Sequence, residues 1–191
     1  DPSGAEPPMP KMIAFLRAIN VGGRNVTMPA LATLFEELGL EAVETFIASG
    51  NVIFDADGRG ETELQTAIAN HLEASLGYEV ATFLRTDAEV AAIADEQPPF
   101  PTEALESASA LNVAFLASPP GSDEVAALEA LATDIDAFAV RGREAYWLCR
   151  RRQSESTISG AILERALRQR STLRSFNTVA RLAAKYPAVR A

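Results

Sequence analysis

An α+β fold of two consecutive plait-like subdomains is predicted by three observations. Strand and helix patterns in the first half run β-α-β-β-α-β. A Pro-rich stretch, Gln97-Pro-Pro-Phe-Pro101, interrupts them. The order then starts again as β-α-β-β-α. The first order is that of a ferredoxin-like unit, with a mainly antiparallel sheet and helices packed on one face. The subdomains are therefore set at residues 12–97 and 98–191, the second with a basic helical end. Residues 1–11, polar and Pro-rich, read as a disordered leader or tag remnant.

Met12 to Ile19 is a short apolar run that carries Arg17 and is closed by Asn20 and Gly22-Gly23, hence a strand and a turn. A helix follows: Thr27 or Met28 caps it, Pro29 lies in its first turn, Gly39 ends it, and Leu31, Leu34, Phe35 and Leu38 share a face. Val43 to Ile47 is a second strand, Ser49-Gly50-Asn51 a turn, and Val52 to Phe54 a third strand. Glu61 to Leu76 is an amphipathic helix stopped by Gly77, and Glu79 to Leu84 a fourth strand. Thr86-Asp87 opens a helix to about Asp95. In the second half, Ala110 to Ala117 reads as a strand and Glu124 to Ala132 as a helix. Ala137 to Val140 and Ala145 to Cys149 are strands joined at Arg141-Gly142-Arg143. Ser159 to Gln169 and Phe176 to Lys185 are helices, and a short strand at Ser171 to Leu173 is left open. The halves repeat in element order with no obvious sequence repeat.

With 191 residues and 48% hydrophobic content the chain can bury a core. Mean hydropathy is near zero, and no apolar run approaches the roughly 18–20 residues of a membrane span. The single Cys149 excludes an internal disulfide, and the single His71 excludes a multi-histidine metal site. A soluble cytoplasmic protein without cofactor is expected. Charge is lopsided: residues 141–191 hold 12 Arg and Lys against 3 Glu, whereas residues 1–140 hold 5 against 23 Asp and Glu. Such asymmetry marks either an anion-binding face or a basic surface that pairs with acids elsewhere.

Several residues carry both a functional and a structural reading. Arg17, in an apolar strand, either binds a carboxylate or phosphate or pairs with an internal acid. Gly22-Gly23-Arg24-Asn25 could cradle an anion on backbone N–H groups, but it is neither a dinucleotide fingerprint nor a P-loop, and tight-turn geometry alone also accounts for it. Ser49-Gly50-Asn51 presents a hydroxyl and an amide, to a ligand or to its own turn. Nothing ties Ser49 to His71, so no catalytic serine follows. Tyr146 and Trp147, followed by Arg150-Arg151-Arg152, either stack single-stranded bases or bury themselves in the sheet.

The run Leu16-Arg-Ala-Ile-Asn-Val-Gly-Gly23 and the later Ser49-Gly50-Asn51 resemble the N-terminal signature of a bacterial family, domain of unknown function 1697. That signature is usually Leu-Arg-Gly-Ile-Asn-Val-Gly-Gly followed by Ser-Gly-Asn. Two C-terminal elements extend the resemblance. Ser156-Thr157-Ile158-Ser159 is similar to the family's Ser-Lys-Leu-Ser, and Thr172 to Val179 to its Thr-Thr-Arg-Asn-Trp-Asn-Thr-Val. Arg174, Asn177 and Thr178 match. Thr157, Ser175 and Phe176 replace the usual Lys, Asn and Trp, and Ala18 and Ala48 replace Gly and Gln. The resemblance covers about residues 12–187 and implies two such subdomains.

These residues give a candidate site of Arg17, Asn20, Gly22, Gly23, Arg24, Ser49, Asn51, Arg174, Asn177 and Thr178. Arginines, amides and hydroxyls favour a small phosphate- or carboxylate-bearing ligand, expected in a cleft between the halves, with no reaction named. A second reading is nucleic-acid binding through the basic C-terminal segment. The third is a non-catalytic interaction module or homodimer joined at an edge strand. No membrane partner is expected.

Overall fold

The structure, a computed structural model, describes residues 4, 9–17, 19, 23 and 25–189, the side chains of Ala48 and Ser49 excepted. Two compact units result, Asp1–Ala92 with Leu182–Ala191, and Ile93–Arg181.

In the first unit, β1 (Lys11–Leu16), α1 (Met28–Glu36), β2 (Glu44–Phe46), β3 (Ala48–Asp55), α2 (Glu61–Leu76) and β4 (Thr82–Thr86) are followed without a break by α3 (Asp87–Asp95). The sheet order is β2-β3-β1-β4, antiparallel throughout. One sheet face takes Met12, Ala14, Val52, Phe54 and Leu84 into a core with Leu31 and Phe35 of α1 and Leu64, Ile68 and Leu72 of α2. Alternation along the strands and the three-to-four spacing along the helices put those residues on one side. Thr27 Oγ1 accepts from Ala30 N at 3.2 Å to start α1, and left-handed Gly77 (φ 83°) closes α2. Near the chain end, Tyr186 donates its hydroxyl to Glu44 Oε2 at 2.8 Å and meets Phe46 edge-on.

After α4 (Thr102–Ser107), the second unit repeats the plan with β5 (Ala110–Leu116), α5 (Ser122–Glu129), β6 (Asp136–Arg141), β7 (Glu144–Cys149), α6 (Gly160–Leu167), β8 (Ser171–Ser175) and α7 (Phe176–Lys185). Its sheet runs β6-β7-β5-β8, the same order as the first. The protein is thus α+β, with two ferredoxin-like subdomains. Ala114, Leu116, Ala145 and Trp147 pack with Leu128 of α5 and Leu163 and Leu167 of α6.

Four expectations are corrected. The first strand stops at Leu16, so Arg17 lies in a bend past its end, its N–H donating to Ala81 O at 3.0 Å. Ser49-Gly50-Asn51 is not a turn but part of β3. The chain reverses instead at Ile47, which takes φ 63°, while buried Asn51 pairs with Phe15 and donates Nδ2 to Phe46 O at 3.0 Å. A β-branched residue in the left-handed region costs roughly 1–2 kcal/mol. Ile47→Asn should therefore raise stability by about 1 kcal/mol, less what the partly exposed isoleucine side chain buries, as an upward shift in urea midpoint. Thirdly, the Pro-rich break is followed by the short helix α4, which no apolar periodicity announced. Fourthly, a sequence repeat does exist once the ladders are aligned. Ile13-Ala14-Phe15-Leu16 in β1 corresponds to Val113-Ala114-Phe115-Leu116 in β5. Leu84-Arg85-Thr86 with Val90-Ala91 corresponds to Leu173-Arg174-Ser175 with Val179-Ala180. Ile13 pairs with Arg85 as Val113 pairs with Arg174.

The strand left open at Ser171 is real. It supplies the sixth element of the second plait and a hydroxyl for the next helix: Ser175 Oγ accepts from Thr178 N at 3.1 Å. Thr86 does the same for Glu89 N in α3. Ser175→Ala should cost about 1 kcal/mol, read by chemical denaturation.

Candidate functional site

The predicted residues divide between the units. Arg17, Gly23 and Asn51 belong to the first. Gly23 holds φ 82°, a value that suits glycine, and Asn51 braces the β2–β3 reversal from a buried position. Asn20, Gly22 and Arg24 lie outside the described residues, as does the side chain of Ser49. Arg174, Asn177 and Thr178 belong to the second unit.

Arg174 lies in β8 and folds back along its own strand, Nη1 donating to Thr172 Oγ1 at 2.8 Å and Leu173 O at 2.9 Å. Burial pushes its guanidinium down to about 10, so it stays charged at neutral pH. Arg85, its counterpart in the first repeat, makes the same bond to Leu84 O at 2.8 Å and is 1% exposed. No sequence signal singled Arg85 out until the ladders aligned the two motifs.

Trp147 and Tyr146 are each 1% exposed, so neither offers a platform for stacked bases. Trp147 Nε1 donates to Asp136 Oδ1 at 2.7 Å. Asp136 also accepts from Thr133 Oγ1 at 2.6 Å and from Ser156 Oγ at 2.8 and 2.9 Å. Burial pushes its carboxyl up, but these bonds outweigh burial and hold it below its ordinary value. The cluster fixes Ser156-Thr157-Ile158-Ser159 and lets Ser159 cap α6, its Oγ accepting from Ile162 N at 3.3 Å. Thr157 then lines a hollow of about 310 Å³ with Asp134 and Glu155, whose charge repels anions. Among the described residues, no group of three or more His, Cys, Asp or Glu could hold a metal. His71 Nε2, on α2, lies 3.6 Å from Oε2 of Glu37, the residue that follows α1.

A larger groove opens where β5 begins and α7 starts. It encloses about 650 Å³, lined by Ser109 to Asn112, Gln153, Ser175 to Asn177 and Ala180. Leu111, Phe176 and Ala180 supply apolar wall. Asn112 Nδ2 donates to Gln153 Oε1 at 2.9 Å, tying the strand to the 3-10 turn Gln153–Glu155. Ser109 Oγ donates to Arg150 O at 2.9 Å, so the backbone of the basic run borders the groove. Arg150, Arg151 and Arg152 are exposed. Of the predicted residues, Asn177 lines this groove; Ser175, which also lines it and caps the helix, was not among them. Asn112 and Gln153 were missed, although a lone polar residue in the apolar run 110–117 was a signal for the first.

Comparison with known proteins agrees with this architecture. Over 92% of its length the chain is similar to 99% of the structure of conserved bacterial protein SP0830 from Streptococcus pneumoniae, at 22% identity and a TM-score of 0.69. No curated protein matches the sequence. Residues 9–146 match the model of the family described as protein of unknown function (DUF1697), and the chain belongs to that family.

Proposed function

We propose that the protein binds a small anionic ligand, bearing phosphate or carboxylate, in the groove between β5 and the start of α7. The observation that carries this reading is a groove rimmed by Asn112, Gln153, Ser175 and Asn177 that the exposed Arg150-Arg151-Arg152 run reaches through its backbone, the Arg150 carbonyl accepting from Ser109 and Arg152 directly preceding Gln153. Arginine matches oxyanions bidentately, and amides and hydroxyls orient the remainder of a ligand. A cytoplasmic location fits a chain whose one cysteine, Cys149, is free and buried, as in a reducing compartment. Among the described residues, no helix is long and apolar enough to cross a membrane.

The test is a thermal-shift panel at low salt with inorganic phosphate, citrate, nucleoside monophosphates and short oligonucleotides. A ligand at about 100 times its dissociation constant adds about 2.7 kcal/mol. The shift is expected with at least one small anion and is lost when Arg150, Arg151 and Arg152 are replaced by Ala. No shift with any small anion contradicts the reading. The same exposed arginines favour a second reading, binding of a nucleic-acid backbone. It predicts a shift with oligonucleotides only, collapsing as salt rises.

A further inference from the structure

We infer that β6 is a docking edge for a second copy of this chain, the two β6 strands pairing antiparallel about a two-fold axis at Ala139. This is independent of the groove beside α7. The outer strands of the two sheets are β2, β4, β6 and β8. β2 has three residues and a shift of register. β4 and β8 have five residues each and run straight into helices. β6 has six residues, holds one unbroken register against β7 and contains no proline or lysine. Short length, bulges, proline and lysine keep an outer strand from pairing, and β6 lacks all of them.

The hairpin tells which groups β6 turns outward. Gly142 (φ 59°) and Arg143 form a two-residue loop, so Arg141 and Glu144 close it as a hydrogen-bonded pair. Alternation then gives Ala139 and Ala137 to β7 and turns the N–H and C=O of Phe138 and Val140 to the open side. Two neighbouring bonds fit that phase. Ile135 O, on the inward side, accepts from Arg150 N at 2.8 Å, and Asp136 O, on the outward side, accepts from Thr133 N at 3.1 Å. With Asp136 O so engaged, opposing Phe138 of one copy to Val140 of the other satisfies every outward group of both residues in both copies. That register makes two aromatic–β-branched cross-strand pairs and sets Ala139 against Ala139, where small side chains allow close approach. The interface is self-complementary, as a two-fold requires. Charge agrees with it. Antiparallel pairing sends the turn Arg141-Gly142-Arg143 of each copy toward the start of the other's β6, where exposed Asp134 and Glu155 line the acidic hollow. An extended peptide shares the backbone pattern but carries no fixed counterpart to this charge.

Sedimentation velocity of the full chain over a hundredfold range of concentration tests the pairing. The wild type is expected to pass from monomer to dimer as concentration rises. Ala139→Lys sets two like charges opposite each other across the axis and is expected to weaken the dimer tenfold or more. Ala139→Glu is expected to do the same alone. An equimolar mixture of the two variants is expected to restore the dimer, an outcome that loss of folding cannot mimic. In the wild type, amide hydrogen exchange at Phe138 and Val140 is expected to slow as concentration rises, a readout that needs no variant. A monomer at every concentration overturns the pairing, whether or not a peptide binds the edge. A dimer that both variants leave unchanged places the interface elsewhere and equally overturns it, as does exchange at Phe138 and Val140 that ignores concentration.

Discussion

Asp136→Ala is expected to cost about 3–5 kcal/mol of unfolding free energy, the largest effect of a single polar substitution in the second unit. The carboxylate is 1% exposed and accepts from the indole of Trp147 and the hydroxyls of Thr133 and Ser156. Truncation leaves the buried Trp147 indole N–H, and with it the Thr133 and Ser156 hydroxyls, without their acceptor, and an unmade buried bond costs more than a made one contributes. The effect has a pH signature. Asp136 is held below the ordinary carboxylate value, so its contribution is fully present above about pH 4 and is lost as pH falls through its folded-state value. Asp136→Asn keeps one acceptor oxygen and has no carboxyl to titrate. Urea unfolding at pH 7 and pH 3 should show the wild type losing its advantage over Asp136→Asn at the lower pH. An advantage that holds constant between the two would contradict the charge-assisted role.

Arg85→Ala is expected to cost about 3 kcal/mol in the first unit, read by the same denaturation series. The side chain is 1% exposed, bonds back to Leu84 O and is among the largest fully buried side chains. Its removal forfeits both packing and a buried hydrogen bond. Arg85→Met refills most of the volume and should recover part of the loss. Arg174→Ala, at the equivalent but less enclosed position, should cost less. A loss for Arg85→Ala under about 1 kcal/mol would show that the guanidinium is not an integral part of the unit.

Much of the fold was legible because local signals agreed with the tertiary outcome. The four-residue spacing of Leu64, Ile68, Leu72 and Leu76 and the stop at Gly77 gave α2 its observed bounds. The helix starting at Phe176 was read with the observed ends because a hydroxyl cap precedes an amphipathic run. Errors fell where tertiary pairing overrides local preference. Ser49-Gly50-Asn51 has turn chemistry, yet β1 recruits Asn51 into a ladder opposite Phe15, and the reversal moves to strained Ile47. β8 was hard to read because its five residues STLRS include four polar or charged side chains and gain their place by pairing with β5.

The site was less legible than the fold. The C-terminal motif pointed to the start of α7, where Asn177 lines the groove. Its partners Asn112 and Gln153 come from elements 41 residues apart, and no sequence spacing joins them before the sheet forms. Arg174 entered the candidate site as a match to the family's C-terminal element, whereas its guanidinium is turned back onto its own strand. The run Arg150–Arg152 instead reaches the groove through its backbone, visible in the sequence as a charge run but not as a neighbour of Asn177.

Backbone amide NMR shift mapping with AMP, and with inorganic phosphate as the control, tests the assignment of this groove most directly. Perturbations are expected to concentrate at Ser109 to Asn112, Arg150 to Gln153 and Ser175 to Ala180, saturating with increasing ligand. Saturating perturbations confined to other residues, or none with either ligand, would contradict an anion site beside α7.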